Sequence, residues 1–491
     1  MTDSAVPTIR QSFQYVREHW LAFFGVSAIV LTPCFWHRHI AAADLGSHLY
    51  NAWLVELIGR GQAPGLWVAH QWTNVLFDYL LSGLGAAFGL WAAEKIAVSL
   101  VVLIFFWGMF SMVAAATRRA PWFLVPILAV FAYGYTFEEG FFNYYMALGL
   151  AFFGVAILWR GKGWERLIAL ALAPLVVVAH PLGLLWLVGA GAYVGIAEAA
   201  PRRQAPVFLA GVGALFAAHY YLWHHFAVDR NEFSVYSLNG GDQLLLFGAR
   251  YAIPVCMLGV FTLGAWIVDV IGRRREQGLW RSYAIPLELY LLVELGVVLL
   301  PTGIHLTKQT AEIALLSERL TSVSAALLCC LLGAMQPRKW HLAATLGIAA
   351  TFFSFLYQDT GTINRMEAQI ERLVATLPPG QRVLATILPL GDWRVTIQHI
   401  ADMACIGHCF SYGNYEPGAG VFRVRALAGN PYVMSSYDDA VSMEEGDYTV
   451  QAEDLPAYQV YQCSESGTDL CIRPLAEGED NDRLGVHPGD Q

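Results

Sequence analysis

Charge is what this sequence has least of. Only 14% of its 491 residues are Asp, Glu, Lys or Arg, against 56% hydrophobic residues and a mean hydropathy of +0.46. A soluble globule carries ~25% charged residues, so that class is excluded. Also missing are a Gly-Lys-Ser/Thr phosphate loop, a Gly-x-Gly-x-x-Gly fingerprint and a His-Glu-x-x-His zinc motif. Their absence counts against ATP-driven transport, a dinucleotide enzyme and a zinc protease. No internal repeat is visible, whereas many transporters are built from two related halves. No small-residue cleavage site follows the first apolar stretch, Trp20–Trp36, so it reads as a retained helix rather than a signal peptide.

What is present is a series of apolar runs of roughly 17–22 residues, long enough to cross a ~30 Å hydrocarbon core. The expected spans are Trp20–Trp36, Ile96–Ala116, Pro121–Phe137, Phe141–Trp159, Leu167–Ala179, Pro181–Ala197, Ala205–Trp223, Tyr251–Val268, Tyr283–Leu300, Leu320–Met335 and His341–Tyr357. The interruption at His180-Pro181 also admits a hairpin that enters and returns. Basic residues gather in alternate short connectors: Arg10 and Arg17, Arg118-Arg119, Arg160 to Arg166, Arg202-Arg203, Arg273 to Arg281, and Arg338-Lys339. By the positive-inside rule these connectors and the amino terminus are cytoplasmic, and the carboxy-terminal tail is extracytoplasmic.

The tail has its own character. Residues 358–491 hold 8 Lys/Arg against 20 Asp/Glu, while residues 1–357 hold 22 against 19. An acidic body of this kind is repelled by nucleic acid and by anionic lipid. Its runs at Val383–Ile387, Phe422–Arg425 and Tyr458–Cys463 read as short strands between Gly, Pro and Asn turns. Cys463 and Cys471 either close a hairpin as a disulfide, which suits an oxidising compartment, or are unrelated thiols. Cys34, Cys256, Cys329 and Cys330 fall in apolar runs and read as small hydrophobes. The expected fold is an α-helical polytopic membrane protein of about eleven spans (1–357, with a long first outer loop at about 37–95) and a C-terminal α/β extracytoplasmic domain (358–476). Residues 477–491, rich in charge, are expected to be disordered.

Within the first outer loop, His37-Arg38-His39 is followed by Asp44-Leu-Gly-Ser-His48-Leu-Tyr50-Asn51. Carboxylates beside a bilayer are costly and tend to mark sites. Asp44 is either a general base or a helix-capping carboxylate. His48, four residues on, shares its face on a helix, and the two together are spaced to hold one divalent ion, Mg²⁺ or Mn²⁺. Ala52–Ile58, ending at Gly59-Arg60-Gly61, and Phe77–Phe88 read as helices along the interface. A second outer turn carries Glu138 and Glu139, which are either a second acid or a solvated turn. Arg38, His48, His180, His305, Lys308 and Arg319 supply cations or donors on the same side. His219, His224 and His225 read as aromatic-belt residues. Glu288 and Glu294, within one span, face different ways, so they are not expected to share a site: one would pair with a neighbouring helix and the other sit near the cytoplasmic end.

The first ~160 residues resemble the GT-C superfamily of multispanning glycosyltransferases, in the order of a first helix, Asp44 in a long outer loop with interfacial helices, and the acid pair Glu138-Glu139. Asp44-x-x-x-His48-Leu with Gly61-Gln-Ala-Pro-Gly-Leu-Trp67 is also similar to bacterial GT-C-like membrane proteins. Many relatives carry Asp-Glu at the first site, where this chain has Asp44-Leu45. The resemblance implies a bacterial inner-membrane enzyme that takes a sugar from a polyprenyl-linked donor. The acceptor, a glycan, lipid or protein, would be met on the periplasmic face. Asp44 would be the base, Glu138 or Glu139 the second acid, and the listed cations would meet the leaving phosphate. A transporter or a non-catalytic assembly protein is the competing class.

Overall fold

The computed structural model describes residues 9–230, 239–276, 279–306, 313–387, 389–397, 399–464 and 467–482. Eight helices are long and apolar enough to cross a membrane: Leu90–Thr117, Phe142–Arg160, Pro181–Ala199, Gln204–His225, Ala249–Arg273, Ser282–Leu299, Leu316–Ala334 and Lys339–Val374. The chain is thus a helical polytopic membrane protein. Each of the eight falls on an expected span.

Of the other three expected spans, two are shorter as helices and the third ends where it was expected, each for a local reason. Trp20–Val30 stops where Thr32-Pro33-Cys34 turns into a 3₁₀ segment. Val125–Ala132 ends before Gly134, where a Cβ would stand 2.9 Å from the Gln243 carbonyl oxygen. Glu165–Ala179 runs for 15 residues and is closed by His180-Pro181.

Helices approach closely where side chains are small, as expected without a hydrophobic drive between helices in lipid. A Cβ on Gly108 would lie 2.3 Å from the Gly149 carbonyl oxygen, and Phe105 stacks on Tyr145 at 4.1 Å between the same two helices. The acids inside the Leu279–Leu299 helix have separate partners. Glu288 accepts from Tyr193 and Gln204, and Glu294 accepts from the Asn239 backbone. His219, His224 and His225 bond backbone carbonyls.

Eight strands are described: β1 (Leu66–Val68), β2 (Ala227–Asp229), β3 (Gly303–His305), β4 (Arg382–Thr386), β5 (Phe410–Ser411), β6 (Val424–Ala426), β7 (Ala457–Gln462) and β8 (Leu470–Pro474). The tail sheet has the order β5-β4-β7-β8, with β4 parallel to both neighbours and β8 antiparallel. Cys463–Cys471 joins β7 to β8 as a disulfide, and Cys405–Cys409 is a second. Of residues 477–482, expected to be unstructured, Glu477, Gly478 and Asp480 are exposed while Asn481 is packed into the protein. Asn481 is fully buried and bonds Met443, Tyr448 and Gln459, so one polar side chain anchors a charged segment.

The tail does not stand apart from the helices. The Lys339–Val374 helix runs straight through residue 357, and one hydrophobic cluster contains Val30, Leu49 and Phe106 together with Ile400, Cys405 and Val460. β1 of the first outer loop pairs with β6 of the tail, Trp67 opposite Arg425.

Candidate functional site

Asp44 sits at the start of the Leu45–Gly59 helix, yet its side chain makes no capping hydrogen bond. The carboxylate is left at the positive end of a helix, a favourable place for an anion. It is densely surrounded by protein while 29% of its side chain stays accessible, so it is not sealed into a core.

The second outer turn builds one wall. Ala43 and Asp44 donate backbone N–H groups to the carbonyls of Glu138 and Glu139. Gly140 makes that approach possible: its φ is +79°, and a Cβ there would stand 2.7 Å from the Asp44 nitrogen. The two glutamates then diverge. Glu139 lies beside Asp44, with Tyr135 and Arg394 as its other neighbours; burial and then the Asp44 charge push its carboxyl up to about 8. Glu138 is buried on the other side, where the charged groups acting on it are Asp359 and Glu139.

The tail builds the opposite wall. Gly46 permits it, because a Cβ there would meet the His399 carbonyl oxygen at 2.3 Å. The His399 ring is 2% exposed, with Nε2 3.9 Å from Asp44 Oδ1, and Nδ1 3.0 Å from Asp402 and 3.8 Å from Glu444. Burial alone would lower its pKa, but Glu444, Asp402 and Asp44 together lift it to about 10.

One helical turn below Asp44, Ser47 and Asn51 donate to the Glu416 carboxylate at 2.8 and 2.6 Å. His48 turns its Nδ1 to Asp78 at 2.8 Å, and Asn143 holds the other Asp78 oxygen at 2.8 Å. Burial works against its charge, and Asp78 then raises the imidazole to about 9. A small polar recess lined by His48, Asn51, Asp78, Asn143, Glu416 and Arg423 lies here.

Arg319 closes the arrangement from the mouth of the Leu316–Ala334 helix. Its guanidinium lies over Phe141 at 4.6 Å, makes no ion pair with a described residue, and is close enough to Asp44 to stabilise the carboxylate. His180 is its neighbour. Burial and then the Arg319 charge hold its imidazole down at about 3, so of the two roles expected from the sequence, cation or hydrogen-bond donor, the uncharged one fits. Asp44 is raised by burial, and His399, His48 and Arg319 pull it back towards the anion.

The structure therefore gathers Asp44, His48, Glu139, His180 and Arg319. Arg38 pairs instead with Glu371 at 2.7 Å, exposed to solvent. His305 lies in β3, its Nε2 2.7 Å from Asp229. Lys308 lies outside the described residues. Among the described residues no three His, Cys, Asp or Glu side chains are grouped to hold a metal ion.

Sequence reasoning missed Asp78 and all the tail residues: His399, Asp402, Glu416 and Glu444. Only Gly46, between Leu45 and Ser47 in the first turn of the helix, hints that something must approach. No family model, curated protein or solved structure matches this chain.

Proposed function

We propose that the chain is an inverting membrane glycosyltransferase that moves a sugar from a polyprenyl-phosphate-type donor to an acceptor hydroxyl. The observation that carries this reading is a partly accessible carboxylate and a guanidinium that makes no ion pair with a described residue, close enough to act on each other electrostatically. Asp44 accepts the proton of the acceptor hydroxyl while that oxygen attacks the anomeric carbon. The bond from that carbon to the phosphate oxygen breaks, its electron pair stays with the phosphate, and Arg319 meets the growing charge. An arginine already set on the Phe141 face needs little reorganisation to bind a phosphate. His180, uncharged, offers a hydrogen bond beside it. On this reading the protein belongs in a bacterial inner membrane, with its amino terminus cytoplasmic and its tail periplasmic.

The test uses purified protein in nanodiscs with a panel of polyprenyl-phosphate hexoses and pentoses, scored for glycosyl product. Asp44→Asn is expected to abolish transfer while leaving the elution profile unchanged. Full transfer by that variant overturns the reading, and flux of a substrate into proteoliposomes without glycosyl product supports the transporter class instead.

A further inference from the structure

The transfer step above uses Asp44 and Arg319 and leaves His399 without a task, although its ring comes within 3.9 Å of the base. His399 is held with unusual completeness. Its Nδ1 faces Asp402 at 3.0 Å, and the other Asp402 oxygen accepts the hydroxyl of Ser411. The Ser411 backbone N–H donates to the Tyr50 hydroxyl at 2.9 Å, and Tyr50 stands on the helix that Asp44 begins. The connection runs from that helix through Tyr50, Ser411, Asp402 and His399 back to Asp44, a closed circuit between two distant parts of the chain. Tyr415 packs its ring 5.3 Å from the imidazole, and Gly46 lets the His399 backbone against the Asp44 helix.

We propose that His399 is a positioning residue for Asp44, presenting an imidazolium from the tail so that the site begun by the outer loop is completed by residues 399–444. The pairing is a property of the folded chain; only its use in sugar transfer rests on the reading above. A cation about 4 Å from a buried carboxylate offsets the cost of removing that charge from water. All the charged neighbours agree on what must be offset. Asp44 faces His399, His48 and Arg319 as cations, with Asp402, Glu139 and Glu444 as acids and the Tyr415 phenol beside it; His399 faces Asp44, Asp402, Glu444 and Glu416. Acids thus crowd both partners. Without the imidazolium, Asp44 would keep two of its three cations and all of its acidic neighbours.

The test reads the protonation of Asp44 without any sugar donor. Dicyclohexylcarbodiimide reacts with protonated carboxyl groups in apolar surroundings, and peptide mass spectrometry assigns the adduct to Asp44 or Glu139 separately. Purified full-length protein is labelled in detergent across a pH series, as wild type, His399→Gln and Asp402→Asn. The Asp44 labelling midpoint is expected to move up by about one pH unit or more in His399→Gln. Asp402→Asn leaves the imidazolium in place beside Glu444 and removes an acid that itself raises Asp44, so its midpoint is expected to move down, opposite to His399→Gln. Wild-type profiles in the variants that elute as folded protein overturn the proposal. That outcome leaves the transfer reading intact, whereas an active Asp44→Asn variant defeats the transfer reading and leaves the pairing intact.

Discussion

Gly46 and His399 meet backbone to backbone: a Cβ added to Gly46 would lie 2.3 Å from the His399 carbonyl oxygen. The contact joins the first outer helix to the tail next to the proposed base. Gly46→Ala is expected to push the tail away from Asp44 at a cost of about 1–3 kcal/mol. Limited proteolysis should then cut the tail sooner, and transfer should fall although Asp44 is intact. Unchanged protease resistance would show that the contact relaxes without consequence.

Glu139 gives stability a pH dependence of definite sign. Its carboxyl is lifted from 4.5 to about 8, so between those values the folded chain holds a proton that the unfolded chain has released. Stability from this group is therefore lost as pH rises through that window, by up to about 1.4 kcal/mol per pH unit. Glu139→Gln keeps the neutral form at every pH. Its thermal midpoint is expected to overtake that of the wild type progressively from about pH 5 to pH 8 and then run parallel.

Arg319 makes no ion pair with a described residue, so its removal leaves no buried carboxylate stranded. Arg319→Gln is expected to raise KM for a polyprenyl-phosphate sugar by about tenfold or more, the scale of one charge-assisted hydrogen bond. Folding should survive. Arg319→Lys keeps the charge but loses the planar stack on Phe141, and an intermediate KM is the expected result.

Glu416 is the knot between the helix and the tail, accepting from Ser47 and Asn51. Glu416→Ala strands both donors in a buried place, at a cost of about 1–3 kcal/mol. Thermal unfolding of Glu416→Ala against Glu416→Gln separates the lost contacts from the lost charge, since the amide still accepts one of the two bonds.

Long apolar runs made the spanning helices legible, because twenty residues without charge leave few other folds. Trp20–Trp36 and Pro121–Phe137 were overextended for the same reason: Thr32-Pro33 and Gly134 break helices inside stretches that hydropathy alone reads as continuous. The first outer helix was placed too late, at Ala52 and not Leu45. Ser47, His48 and Asn51 gave its first turns the look of a loop, and these polar residues are the ones that face Glu416 and Asp78. Asp44, His48, Glu139, His180 and Arg319 were legible as charge or hydrogen-bonding capacity at the outer ends of spans. His399, Asp402, Glu416 and Glu444 were not, since no local spacing links them to residues encoded at the other end of the chain. The Cys463–Cys471 hairpin was legible because eight residues with a turn-rich centre bring two strands side by side.

The register of β1 on β6 has a consequence for biogenesis. Leu66–Val68 cannot find its partner strand until Val424–Ala426 has been made and has arrived on the same side of the bilayer. A nascent chain halted after its last spanning helix would hold Asp44 in a half-built cleft, one wall absent, with Gly46 bare to solvent. Closure of that cleft is thereby deferred to the final stretch of synthesis, and a truncated copy would lack the wall that carries His399.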